Sequence, residues 1–278
     1  MKNPPTEALR EFESTGLSVC QLANNDDLVR AKSIVDREFD SLLASGFFLN
    51  EEDKPDAREV RMTSETSFFL SELAWFLESQ TYRTIVDLVA QIFEESFDLF
   101  MERVIITLPE SLLPGPVSTR FYPFENCEHG NLSEFLVPRA RRLSIFAHNP
   151  WHNDYIDFPD SDADFVSVLI PLSDRSGQRA PLYGCPESFR LKQRFKSDEI
   201  EIDEENVSVE FEGVKHHFKR RRLELKFGEF GIWHALNLHA VYPNLDSSPV
   251  VNLRLNFCKT SSKDGLLDSG YKREAYRA

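Results

Sequence analysis

The feature that most narrows the fold lies after the break LPESLLPGP at 108–116. From there the chain runs through short β-type segments bounded by turn residues, with no helical interval between them. The segments are VSTRFYPF, RRLSIFAH, DFVSVLIPLS, APLYGC, VSVEFEG, RRLELKF, GIWHALNLHAVY and VVNLRLNFCK. A succession of about eight such strands predicts a double-stranded β-helix, or jelly roll.

The N-terminal part has a different period. DDLVRAKSIVDREFDSLLAS at 26–45 places Leu28, Ala31, Val35 and Leu42 on one stripe, with Asp26 as a cap and Gly46 as a stop. Between about 64 and 103, FFLSELAWFLES and YRTIVDLVAQIFEESFDLFMERV predict two further helices. The second is apolar on more than one face and should lie against something flat, such as a sheet. The predicted fold class is therefore mainly β with helices: a jelly-roll core at 106–278 under a helical layer at 1–105. The 278 residues are expected to form a single domain.

Composition excludes several function classes. A hydrophobic share of 41%, with 23 Phe, gives ample surface to bury and no case for disorder. The net charge of −14 repels phosphate, so neither nucleic acid nor an anionic membrane is the expected partner. The basic run KHHFKRRR at 215–222 follows the acidic run DEIEIDEE at 198–205, which predicts a solvated hairpin or loop pair. Cysteines at 20, 127, 185 and 258 are too few and too scattered for a disulfide framework, and MKNPPTEALREFEST lacks an apolar export segment. A cytoplasmic location is expected.

The candidate chemistry begins at NPWHNDYIDF, residues 149–158. In an extended segment residues two apart project to one side, so His152 and Asp154 can present an imidazole and a carboxylate to one point. A surface turn explains the same three residues equally simply, so the motif needs a third ligand from a distant strand. GIWHALNLHAVYPN offers His234 and His239, which have opposite parity in a regular strand. His239 is the predicted ligand, with His234 packing or hydrogen-bonding nearby.

Two histidines and a carboxylate leave three positions of an octahedron open, which suits non-haem Fe(II) binding a co-substrate and dioxygen. Zinc with a water is the rival. Arg254 is the discriminator: it lies fifteen residues after His239 on an apolar strand, with no acidic residue at neighbouring strand positions. A buried guanidinium there needs an anion, and a dicarboxylate co-substrate would supply it. Pairing with a remote Asp or Glu is the alternative.

The order HND at 152–154, His239, then Arg254 resembles the Fe(II)/2-oxoglutarate-dependent dioxygenases, specifically the phytanoyl-CoA hydroxylase-like branch. STRFYP at 118–123 resembles the strand before the HxD turn. FVSVLIPLSD at 165–174 and GQRAPLYGCPESFR at 177–190 resemble the segments that follow it, and LHAVYPN with LRLNF resembles the distal strand pair. The resemblance covers roughly residues 117–260. It implies that His152, Asp154 and His239 hold Fe(II), that Arg254 pairs with the distal carboxylate of 2-oxoglutarate, and that O2 takes the remaining position. Decarboxylation to succinate and CO2 would then drive hydroxylation. A retained Asp154 favours that outcome over halogenation.

The chain departs from the branch in places. Pro186, Glu187, Ser188 and Phe189 stand where a PGSH segment is common, and Arg254-Leu255-Asn256 stands where Arg-x-Ser is common. The second co-substrate contact is thus expected from Asn256, Arg120 or Tyr122. A second hypothesis keeps the barrel but not the reaction: a non-catalytic or zinc-holding cupin-like binding protein. A third is an interaction module with an acidic surface. For the enzyme, an insert at about 187–222 is expected to form a lid, and its charges suggest a polar small-molecule or carrier-linked substrate, such as a sugar or natural-product intermediate.

Overall fold

The computed structural model describes residues 5–49, 70–121, 124, 130–157, 161–175, 177–195 and 197–262. Helices are α1 (Pro5–Thr15), α2 (Asp26–Ser45), α3 (Gln80–Phe93) and α4 (Gly115–Phe121). Strands are β1 (Leu17–Gln21), β2 (Phe97–Thr107), β3 (Ser144–Phe146), β4 (Asn149–His152), β5 (Phe165–Pro171), β6 (Leu182–Gly184) and β7 (Ile200–Ile202). They continue with β8 (Asn206–Phe211), β9 (Val214–Lys219), β10 (Arg221–Leu223), β11 (Glu229–His234), β12 (His239–Val241) and β13 (Val250–Lys259).

The core is a jelly roll of two facing sheets. One is ordered β1-β11-β5-β13-β2-β3 and the other β10-β6-β12-β4, all antiparallel except for the β2/β3 pair. Strand alternation assigns each face of the larger sheet a task. Val166, Val168 and Ile170 of β5, with Leu253, Leu255 and Phe257 of β13, point outward. There they pack with Leu28, Ala31 and Val35 of α2 and with Ile85, Leu88 and Val89 of α3. The residues between them, among them Ser167, Leu169, Asn252 and Arg254, face the smaller sheet. Both faces of β5 and β13 are buried, and Ser167, Asn252, Arg254 and Asn256 are the polar residues on the inner one.

Helix α2 has the expected bounds and stripe, with Gly46 at φ 73 ending it. Its cap differs from expectation. Asn25 occupies the N-cap position without a side-chain cap, and Asp26 is already helical. The long helix expected to run to 103 stops at Phe93, and FDLFMERVIIT becomes β2. Its run is apolar on both faces because it sits between α3 and the interior, and such a run has no period that separates strand from helix. VSTRF, expected as a strand, is the end of α4. Its carbonyl ladder is local, so it needs no partner strand. Of the helix expected in FFLSELAWFLES, the part Ser71–Glu78 is a 3-10 helix.

Strands β7, β8 and β9 form a separate meander, in which Lys215 pairs with Glu201 across the acidic and basic runs. Its apolar side, with Ile200, Val207 and Val209, packs on Trp151, Leu238 and Ala240. Trp151 alternates with His152 on β4, and Ala240 with His239 on β12, so the meander covers the outer face of the small sheet. The segment 187–222 expected as a lid is thus largely an outer layer, and none of its described residues lines the internal pocket. No helix among the described residues is long and apolar enough to cross a membrane.

Candidate metal centre

His152 ends β4 and His239 begins β12, where the two are direct antiparallel partners. Opposed residues in an antiparallel pair project to one face, and the imidazole centroids lie 4.3 Å apart. Asp154 opens a 3-10 turn immediately after β4, and its backbone N–H donates to the Ala235 carbonyl at 2.9 Å. That bond ties the HND turn to the β11–β12 connection, bringing the third group to the pair. One ligand atom each from His152, Asp154 and His239 lie within 4.8 Å of one another, and all three side chains are buried.

The hydrogen bonds around the rings fix their tautomers. His152 Nδ1 lies 2.6 Å from the Pro150 carbonyl and His239 Nδ1 lies 3.0 Å from the Asn237 carbonyl. A carbonyl only accepts, so each Nδ1 carries a hydrogen; the Nε2 of His239 lies 3.4 Å from Asp154 Oδ1, and the Nε2 of His152 keeps its lone pair. The Asn149 amide sits 3.0 Å from His152 Nε2, as a donor to that lone pair would. Burial, reinforced by His239 and Arg254, holds His152 well below the ordinary histidine range, so it is neutral near pH 7. A neutral His152 anchored through Nδ1 is in the state a metal requires, and His239 is anchored in the same way.

Asp154 is surrounded by donors. Trp233 Nε1 donates to Oδ2 at 2.8 Å, Ser167 Oγ donates to the same oxygen, and Arg254 Nη2 pairs with Oδ1. The register explains the convergence: Trp233 and Asn256 are both cross-strand partners of Ser167, so β11, β5 and β13 present one rung beneath the carboxylate. Burial opposes ionisation of Asp154. The Arg254 guanidinium, then His239, overcome it and hold the carboxyl well below the usual carboxylate range. Arg254 was expected to lack an acidic neighbour on its own strands and does, yet Asp154 reaches it from across the barrel, 100 residues away in sequence. This is the alternative reading of Arg254, pairing with a remote Asp, and the partner comes from between the sheets and not along the strands.

The other expected contacts divide. Asn256 reaches the cluster indirectly, donating from Nδ2 to Ser167 Oγ at 2.8 Å. Arg120 does not reach it: on α4 it is more than half exposed, paired with Glu134 at 2.9 Å. Its short amphipathic helix turns the guanidinium outward. Tyr122 lies outside the described residues. His234, the rejected ligand, pairs instead with Asp164 at 3.2 Å. Trp151 is 1% exposed within the outer apolar cluster, so it is core and no pocket wall. Ser188 of the altered PESF segment accepts from the Leu238 N–H at 2.9 Å, steadying the turn that delivers His239.

A pocket opens from the cluster into the barrel, lined by His239, Trp233 and Arg254 and continuing past Leu169, Leu182 and Asn252 to Arg175. No protein-family model matches the sequence, and no curated protein does. Solved structures do. The epimerase SnoN, in complex with Fe3+, alpha ketoglutarate and nogalamycin RO, superposes with a TM-score of 0.57 at 11% identity, over 99% of this chain and 92% of its own. AviO1 from Streptomyces viridochromogenes Tue57 gives 0.55 at 13% identity, over 94% of this chain and 98% of its own. EvdO2 from Micromonospora carbonacea var. aurantiaca, complexed with 2-oxoglutarate, gives 0.52 at 14%, over 91% and 90%. The likeness is one of fold. It extends over nearly the whole chain, helical layer included.

Ser167, Trp233, Asn252 and Arg175 were not singled out by sequence reasoning. A serine inside FVSVLIP is the one visible signal, being the only hydroxyl on a strand buried on both faces. The others acquire their place only through strand register.

Proposed function

We propose that the chain is an Fe(II)- and 2-oxoglutarate-dependent oxygenase acting on a small molecule. The observation that carries this reading is the convergence of two imidazoles and one carboxylate, buried and within 4.8 Å of one another, at the end of a pocket that also holds a guanidinium. The donor set fits the group: two imidazoles and a carboxylate form a facial set that leaves room for further ligands. Iron bound there with 2-oxoglutarate and O2 would supply oxidative decarboxylation, giving succinate and CO2, coupled to oxidation of a substrate C–H bond. The structural neighbours support the choice of cofactor, since SnoN is described with Fe3+ and alpha ketoglutarate and EvdO2 with 2-oxoglutarate.

The chain's own residues have definable tasks. His152 and His239 offer nitrogen donors whose direction is set by the Pro150 and Asn237 carbonyls. Trp233 and Ser167 hold the Asp154 carboxylate from the side away from solvent. Arg254 keeps Asp154 ionised, so the metal meets a formed charge. Aliphatic side chains Ile105, Leu169, Leu182 and Val241 exclude water from the pocket. Hydroxylation of a polar or carrier-linked metabolite, in the class of natural-product intermediates, is the reaction we favour; SnoN, an epimerase from nogalamycin biosynthesis, extends the possible outcomes beyond hydroxylation.

The test is succinate release from 2-oxoglutarate after O2 is admitted to anaerobically Fe(II)-loaded protein, alongside manganese(II) binding. Turnover in the wild type, lost in His152→Ala together with metal binding, is the expected result. A wild type that binds zinc but never 2-oxoglutarate would establish the cupin-like binding protein instead.

A further inference from the structure

Arg254 accounts for one cation in the pocket; a second one has no carboxylate partner among the described residues. Arg175 lies just beyond β5 and is buried, 4% exposed. Its partners are neutral acceptors: Nη1 donates to Asn252 Oδ1 at 3.4 Å and Nη2 donates to the Ala180 carbonyl, while Nε has no partner. Burial alone pulls the guanidinium down to about 10, with no carboxylate offsetting it. A fully buried charge in that state is costly unless an anion joins it. Arg254, whose Nε is likewise without a partner, differs in already holding a carboxylate: its Nη2 pairs with Asp154 and Ser167.

The placement of the two arginines is ordered along β13. Asn256 lies beside Ser167 at the carboxylate end, Arg254 comes next on the same face, and Asn252, the contact of Arg175, follows. Each step of two residues is about 7 Å. Arg175 therefore marks a point one step further from Asp154 than Arg254, comparable with the reach of an extended five-carbon diacid whose other end lies at the metal ligands. We propose that Arg175 is the receptor for the distal carboxylate of the keto-diacid, and that Arg254 is a positioning residue for Asp154. This rests on the proposed function and reassigns the role that the family resemblance implies for Arg254.

Calorimetry on manganese(II)-loaded protein separates the two assignments without turnover. The ligands are 2-oxoglutarate and 2-oxobutyrate, which share the keto-acid head and differ in the distal carboxylate. The wild type is expected to prefer 2-oxoglutarate by at least about 30-fold, the lower range for losing one partner of a buried charge pair. Arg175→Met is expected to abolish the preference while leaving 2-oxobutyrate binding unchanged. Arg175→Lys, which retains the charge without the fork, is expected to weaken 2-oxoglutarate alone and serves if the methionine variant does not fold. In Arg254→Met the preference is expected to persist. A preference that survives in both Arg175 variants and vanishes in Arg254→Met overturns the inference and leaves the oxygenase reading standing. Wild-type protein that binds manganese(II) but neither keto acid overturns both.

Discussion

Removing Arg254 exposes the electrostatic design of the centre. In the metal-free protein Arg254 is the cation that balances Asp154, and both side chains are buried, 8% and 1% exposed. Arg254→Met preserves volume and leaves a carboxylate with the Trp233 and Ser167 donors but no counter-charge. Breaking a buried pair by removing one member costs about 3–5 kcal/mol, and the two surviving donors place this case at the lower end. At about 3 kcal/mol, a chain of this size should lose roughly 6–12 °C in Tm. The sign with pH follows from the burial that Arg254 no longer offsets. Asp154 in the variant has a raised pKa, so its folded form is favoured when protonated, and the deficit widens as pH rises above the unfolded value near 4. A divalent metal replaces the missing cation. Thermal denaturation in chelator and in saturating manganese(II) should therefore show a large deficit in the first and a small one in the second. Equal stability of variant and wild type in chelator, or an unchanged deficit with metal, would refute the reasoning.

Other consequences can be checked on the same protein. Trp233→Phe removes the Nε1–H bond to Asp154 while keeping an aromatic ring, and metal affinity measured by competition with a chelator should fall about 10–100-fold. His152 is held below its ordinary pKa by burial, so the unfolded chain takes up a proton that the folded chain refuses. Metal-free stability should accordingly fall as pH drops below about 6.5, by up to about 1.4 kcal/mol per pH unit, and His152→Gln should flatten that slope in urea titrations. Trp151→Ala should cost about 3–5 kcal/mol in the same titrations yet leave metal affinity intact, because its ring packs in the outer cluster; a selective loss of metal binding would contradict that placement.

Where sequence and structure agree, the signal was periodic or rested on residue chemistry. Asp26–Ser45 and Val250–Lys259 have the expected bounds, one from a 3.6-residue stripe, the other from a β-type run bounded by turn residues. The HxD spacing and the choice of His239 at the start of its strand named three groups that lie within 4.8 Å of one another; parity alone said only that His234 and His239 face opposite ways. Where they differ, the local signal was ambiguous or pointed elsewhere. FDLFMERVIIT carries apolar residues on both faces, so it fits strand and helix alike, and Arg120 sat in a segment taken for a strand that is a short surface helix.

The sequence by itself determined the helical stripe at 26–45, the jelly-roll class and the chemical identities that can bind a metal, since these follow from periodicity and residue type. Only the tertiary structure decided which charges face one another. Asp154 and Arg254 are 100 residues apart, and Arg175 meets Asn252 across 77. Their encounter depends on the register of β5, β11 and β13 and on the gap between two sheets. A shift of one residue in that register would turn Ser167 and Arg254 toward the helical layer and leave the carboxylate alone.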